Sequence, residues 1–193
     1  GGGLIGIELC EVFLHHGLEV DFIIRGESFF RKELSPDEGR FTEKYMAEQG
    51  LRVYTGTTVN EIEENAGRVT AVKCDNGRRI GCDIIGLAAG VVPNTKLAEA
   101  SGIPSRKGIR CNWKLKTAYD DVFSAGDCVE ISDNMKGEGF IRTIWYSARD
   151  MGEVAGRNML GDNVFYDPGP WYNSAKFFEK EYTACGENGP SPQ

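Results

Sequence analysis

Gly1-Gly2-Gly3-Leu4-Ile5-Gly6-Ile7-Glu8 opens the chain, and the spacing of its glycines governs how the adjoining residues are read. Gly1-x-Gly3-x-x-Gly6 is the pattern of a turn that leads from a strand into a helix. Gly1 permits the tight turn, Gly3 lets the backbone approach a pyrophosphate, and Gly6 lets the helix pack closely on a sheet. The helix start then offers free N–H groups and a partial positive charge, with Leu4 and Ile5 in its first turn. Leu9, Val12 and Phe13 recur at helical spacing, as do Ile5 and Leu9, up to Gly17. Residues 18 to 24 then read as a mainly apolar strand ending at Arg25-Gly26. The glycine pattern alone is weak, but a helix and a strand come after it at the right distances. A strand should also precede it, and the chain begins at the first glycine. The expectation is therefore the carboxyl-terminal part of a longer protein. The continuation Leu4-Ile5-Gly6-Ile7-Glu8 argues against a tag remnant.

The end of the 18–24 strand bears on the choice of nucleotide. An acidic residue there bonds a ribose 2′-hydroxyl, whereas a basic one accepts a 2′-phosphate. Arg25 ends the strand, with Arg31 and Lys32 nearby, and two guanidiniums can clamp a phosphate. Glu27, in the same loop, could hold a ribose instead. The arginines tip the reading towards NADP; solvated side chains are the plain alternative.

Further along, Ser35-Pro36-Asp37-Glu38 is a helix start with a capping box, and that helix runs to about Glu48. Residues 51–54 form the next strand. Extended segments at 58–64, 68–74 and 78–85 are joined by Asn65-Ala66-Gly67 and Asp75-Asn76-Gly77, which is hairpin chemistry. Residues 82–89 leave this meander as an apolar strand of the kind buried in a parallel sheet. Residues 109–115 read as extended, 122–125 as a short strand and 143–160 as a helix. Between the last two lies a polar loop, 133–139. The aromatic-rich tail ends in Gly-Pro-Ser-Pro, expected to be loose.

Composition excludes several classes. Lys and Arg number 22 against 29 Asp and Glu, and the net charge of −7 argues against a nucleic-acid partner. The longest mainly apolar run, 83–92, contains two glycines and is too short to span a membrane. No secretory signal is visible. The six cysteines form no CxxC pair, and the two histidines, His15 and His16, are adjacent, so spacing yields no metal site. Scattered thiols of this kind fit a reducing, cytoplasmic setting.

Four features in order carry a resemblance to the pyridine nucleotide-disulfide oxidoreductases, flavoproteins with two dinucleotide-binding domains. They are Gly1 to Glu8; the meander ending in an apolar strand; Ala89-Gly90-Val91-Val92-Pro93-Asn94-Thr95; and Thr117 with Val122-Phe123-Ser124-Ala125-Gly126-Asp127-Cys128. The resemblance covers roughly residues 1 to 160. It implies an α/β class, a Rossmann-like three-layer parallel sheet with an antiparallel β-meander crossover. The first strand and the first half of the FAD domain are lacking. It implies an NAD(P)-binding domain at 1–95, a returning FAD-domain segment at 96–160, and a tail or start of an interface at 161–193.

The same resemblance implies FAD and NAD(P)H as cofactors, with hydride passing from NAD(P)H to FAD and on to a small-molecule or small-protein acceptor. Asp127, after Gly126, would bond the ribityl chain of FAD; the helix near Ile144-Trp145-Tyr146 would point its N-terminus at the flavin. Glu8 and Gly90 would lie near the nicotinamide. No catalytic side chain is assigned, since the first step requires none and the family's redox cysteines lie in the missing half. Gly6 weakens the NADP reading, because NADP-preferring relatives often carry Ala there. Trp171 to Phe178 could begin a homodimer interface, or be core. Two other readings stand beside this one: a nucleotide-binding module without flavin, and a single-Rossmann dehydrogenase using Tyr172 and Lys176.

Overall fold

The computed structural model describes residues 1–31, 33–133 and 139–186. Lys32, most of the polar loop at 133–139 and the Gly-Pro-Ser-Pro terminus lie outside the described residues. The chain divides into two compact units, Gly1–Gly90 with the chain from Tyr172 onward, and Val91–Trp171.

In the first unit, α1 (Leu4–His15) leads to β1 (Val20–Ile23), α2 (Pro36–Glu48) and β2 (Leu51–Tyr54). β1 and β2 pair in parallel, Val20 opposite Leu51. Parallel strands need a crossover, and α2 supplies it. Its start is the expected capping box: Glu38 N–H donates to Ser35 Oγ at 3.4 Å, and Ser35 N–H to Glu38 Oε2 at 2.8 Å. Strand alternation then sorts the side chains. Val20, Phe22 and Ile24 turn to one face and are buried with Ile7, Cys10, Phe29, Met46 and Leu51. Ile23 and Tyr54 turn to the other, against Val72, Cys74 and Ile80 of the meander.

That meander is β3 (Val59–Asn65), β4 (Arg68–Cys74) and β5 (Arg79–Gly81), antiparallel throughout. Ala66 and Gly67 both have left-handed backbone, φ 51° and 78°, the pair a two-residue hairpin turn requires.

The expected strand at 82–89 does not form. Residues 83–89 carry no strand pairing among the described residues, and Ile84 and Leu87 are 60% and 79% exposed. A parallel strand is held by neighbours on its flanks. Gly1 lies close beside it: a Cβ there would lie 1.8 Å from Ala88 O. On its other side the Gly1 ammonium donates to Ile23 O at 3.2 Å.

The second unit contains α3 (Lys96–Ala100), β6 (Ile109–Cys111), β7 (Val129–Ile131) and α4 (Trp145–Met159). β6 and β7 are parallel. The expected strand at 122–125 reduces to one isolated bridge, Lys116 with Phe123. The paired strand lies just beyond Asp127 instead. α4 buries Ser147, Met151 and Ala155, the i, i+4, i+8 stripe of an amphipathic helix.

By contacts, the tail is shared between the two units. Residues 161–171 belong to the second unit. From Tyr172 the chain joins the first unit as a hairpin, β8 (Tyr172–Phe177) and β9 (Lys180–Cys185). Phe177 is buried in the core of α1, β1 and α2, so that aromatic is core. By contacts, the first unit runs to Gly90.

Candidate functional site

The glycine turn of the first unit has two contrasting positions. A Cβ on Gly6 would stand 2.0 Å from Gly1 O and 3.1 Å from a ring carbon of Phe22. Gly6 is what lets α1 lie on β1. A Cβ on Gly3 would meet no atom within 4 Å. Gly3 is the N-cap of α1, with no side-chain capping bond and no acidic residue in the first turn. The first helical hydrogen bond to form is Ile7 N–H to Gly3 O at 3.2 Å. An uncapped helix start facing open space, free of carboxylates, is suited to an anion. Leu4 is half-buried and Ile5 exposed in that first turn; Glu8 and Gly90 are exposed.

At the end of β1, Arg25 and Glu27 are exposed. Ile24 and Gly26 tie this end to the last residue of β2 and the segment after it: Ile24 N–H donates to Tyr54 O at 2.8 Å, and Gly56 N–H donates to Gly26 O at 2.7 Å. Arg31 folds back over the turn, its Cδ 3.5 Å from where a Cβ on Gly26 would be. The structure thus brings Arg31 to the residue after Arg25. Neither arginine meets a carboxylate among the described residues, so both charges face solvent.

In the second unit, Gly126 has φ 91°, a left-handed conformation that suits glycine, and its Cβ position lies 3.9 Å from Ala148 Cβ in the first turn of α4. Asp127 is exposed, and its carboxylate has no hydrogen bond or ion pair among the described residues. α4 begins at the N-cap Ile144 with no side-chain cap and no acidic residue in its first turn. The second unit therefore places a vacant carboxylate and a bare helix start at one end of α4. A groove of about 530 Å³, lined by Lys114, Phe123, Met159 and Leu160, lies at the other end and carries none of the sequence-predicted residues.

Glu130 is the residue that sequence reasoning missed. Its side chain is fully buried, and it accepts from Lys107 N–H at 2.9 Å, Gly108 N–H at 3.1 Å and Gly139 N–H at 3.1 Å. Arg106 and Arg110 lie 3.9 Å from it. It anchors the loops around β7 and so the strand that follows Asp127. A glutamate inside the apolar run Val129-Glu130-Ile131 was the available signal.

Among the described residues no group of three His, Cys, Asp or Glu side chains is placed to hold a metal, and no helix is long and apolar enough to cross a membrane. All six thiols are free. Burial pushes the Cys10 thiol up to about 11 and Cys111 up to about 12. Both therefore stay protonated at neutral pH and react slowly. At pH 8 an alkylating reagent is expected to label exposed Cys185 first and to reach Cys10 and Cys111 only on unfolding, read by peptide mass spectrometry.

The chain belongs to the pyridine nucleotide-disulphide oxidoreductase family, whose model matches residues 1–152. Over 177 residues it is 32% identical to an NADH oxidase of Methanocaldococcus jannaschii, covering 91% of this chain and 38% of the relative. Over 173 residues it is 33% identical to an NAD(P)H coenzyme A polysulfide/persulfide reductase of Pyrococcus horikoshii, covering 86% and 37%. Among solved structures it is similar to a ferredoxin reductase from Rhodopseudomonas palustris, with TM-score 0.81 and 27% identity over 91% of this chain and 43% of that one. The chain thus spans less than half the length of each of these relatives. The α/β, Rossmann-like class expected from the sequence is the class of these neighbours.

Proposed function

We propose that this chain is the nucleotide-handling part of an oxidoreductase that passes a hydride from NAD(P)H to FAD and on to a small-molecule or small-protein acceptor. The single observation that carries the reading is the α1 turn. Gly6 seats the helix, and Gly3 leaves its bare N-terminus open to a diphosphate. Relatives named NADH oxidase and NAD(P)H persulfide reductase support the nucleotide. Division at 1–95, 96–160 and 161–193 remains the functional reading, with the Tyr172 hairpin serving the nucleotide unit.

The nicotinamide and the flavin supply the hydride chemistry when bound. This chain's residues bind and orient. Amides of Leu4, Ile5 and Gly6 would receive the pyrophosphate. Arg25 and Arg31 would receive a 2′-phosphate, which favours NADP over NAD, with Glu27 left to the ribose hydroxyls. Glu8 and Gly90 would flank the nicotinamide. The second unit fits flavin on its own evidence: Asp127, unpaired and following the bend at Gly126, can accept from a ribityl diol. The uncapped α4 start would stabilise negative charge on the ring. Six free thiols support a cytoplasmic setting.

A Gly3→Ala variant tests the reading. Its backbone, φ −112° and ψ −177°, is open to any residue, and its Cβ meets nothing in the protein. The fold should lose no more than about 1 kcal/mol, from the poorer N-cap. NADPH affinity, measured by calorimetry, should fall at least about tenfold, or ~1.4 kcal/mol. Unchanged affinity would remove the diphosphate from this turn.

A further inference from the structure

The hairpin at 172–185 carries none of the candidate site residues, yet it touches the loop that carries Arg31. We propose that β8–β9 is a positioning element for nucleotide choice: Phe177 and Tyr182 clamp Phe29 and Phe30, and this clamp presents Arg31 to the 2′-phosphate. The inference rests on the nucleotide reading above and names the element that sets its specificity.

Five observations carry it. Phe29 is fully buried, and the Phe177 ring meets it edge-on with centroids 6.0 Å apart. Tyr182 stacks on Phe30 at 5.9 Å with an interplanar angle of 11°. Phe30 itself has φ 50°, a left-handed conformation that costs a bulky residue energy and persists only where neighbours enforce it. Arg31 is the next residue, and that backbone reversal accompanies its return over Gly26. Finally, the hairpin is bolted in place. Phe178 N–H donates to Glu11 Oε2 at 3.0 Å, and Glu179 N–H donates to the Tyr45 hydroxyl at 3.2 Å.

α2 holds the same loop: Phe29 N–H donates to Glu43 Oε1 at 2.9 Å. Both α2 and the hairpin thus hold the loop, and among the described residues Phe30, the residue next to Arg31, is met edge-on by Phe29 at 4.7 Å and stacked on by Tyr182 of the hairpin. The Tyr182 hydroxyl is buried with no hydrogen-bond partner among the described residues. The ring, rather than the hydroxyl, does the holding.

The test compares KM and kcat for NADPH and NADH in the flavin-loaded holoprotein, with ferricyanide as acceptor. Tyr182→Ala should raise the NADPH KM about tenfold and the NADH KM less than about twofold, with kcat unchanged. Arg31→Ala should do the same, and Tyr182→Phe should match wild type. If Tyr182→Ala folds poorly, Tyr182→Leu is read by the same criteria. Three results overturn the proposal. Both KM values rising together would show a merely structural role. A shifted ratio in Arg31→Ala but not in Tyr182→Ala would remove the hairpin and leave the nucleotide reading standing. An unshifted ratio in Arg31→Ala would remove the 2′-phosphate reading and this inference with it.

Discussion

A Gly6→Ala variant is expected to be destabilised by about 2–3 kcal/mol, the upper part of the range for overpacking a filled site. The added methyl would sit 2.0 Å from Gly1 O and 3.1 Å from the Phe22 ring. The first is backbone and cannot rotate away. The second belongs to a side chain only 3% exposed, packed in the core. Relief requires α1 to lift off β1, which also displaces the amides of its first turn. Nucleotide affinity should therefore fall together with stability, unlike in Gly3→Ala, where affinity falls with at most about 1 kcal/mol of stability. Urea unfolding checks this: a lowered midpoint with an unchanged slope is expected. A wild-type midpoint would mean that α1 is not seated on β1 through Gly6.

Glu130→Ala should cost about 3–5 kcal/mol in the Val91–Trp171 unit, the range for removing one partner of a buried charged pair. Three backbone N–H groups lose their shared acceptor, and Arg110, its side chain 10% exposed, loses the carboxylate beside it. Gly139 reinforces the point, since a Cβ there would stand 2.3 Å from Glu130 Cγ. Gly139 closes directly on this glutamate. Calorimetry on the holoprotein should show an early transition, and the flavin-to-protein absorbance ratio should drop, because β7 starts two residues after Asp127. Glu130→Gln, which keeps shape and one acceptor oxygen, should retain more of both. Equal stability of wild type and Glu130→Ala would contradict the anchoring role.

What could be read in the sequence depended on how local its cause is. The capping box at Ser35 and Glu38, the β2 limits and the Asn65-Ala66-Gly67 turn depend on neighbouring residues, and the structure has them where expected. The glycine turn was legible because its sterics lie within six residues. Residues 82–89 have the right composition for a buried strand, but strand formation depends on neighbours. Ile84 and Leu87 lack them. The role of Phe177 depends on a core formed some 150 residues earlier in the chain, so its aromatic neighbours could be read as interface or core. Glu130 looked like one charge among many until its three N–H donors were brought together by the fold. Arg31 was singled out by proximity in sequence, but its fold-back over Gly26 follows from the left-handed backbone at Phe30, which no local pattern announces.

The most direct check on the phosphate-binding turn is a titration of the ¹⁵N-labelled holoprotein with NADP⁺, following backbone amides by NMR. Saturable shifts should be largest at Gly3, Leu4, Ile5 and Gly6, with a second group at Arg25 and Arg31 that weakens when NAD⁺ replaces NADP⁺. Saturable binding that leaves the amides of residues 3–6 unmoved would contradict the account.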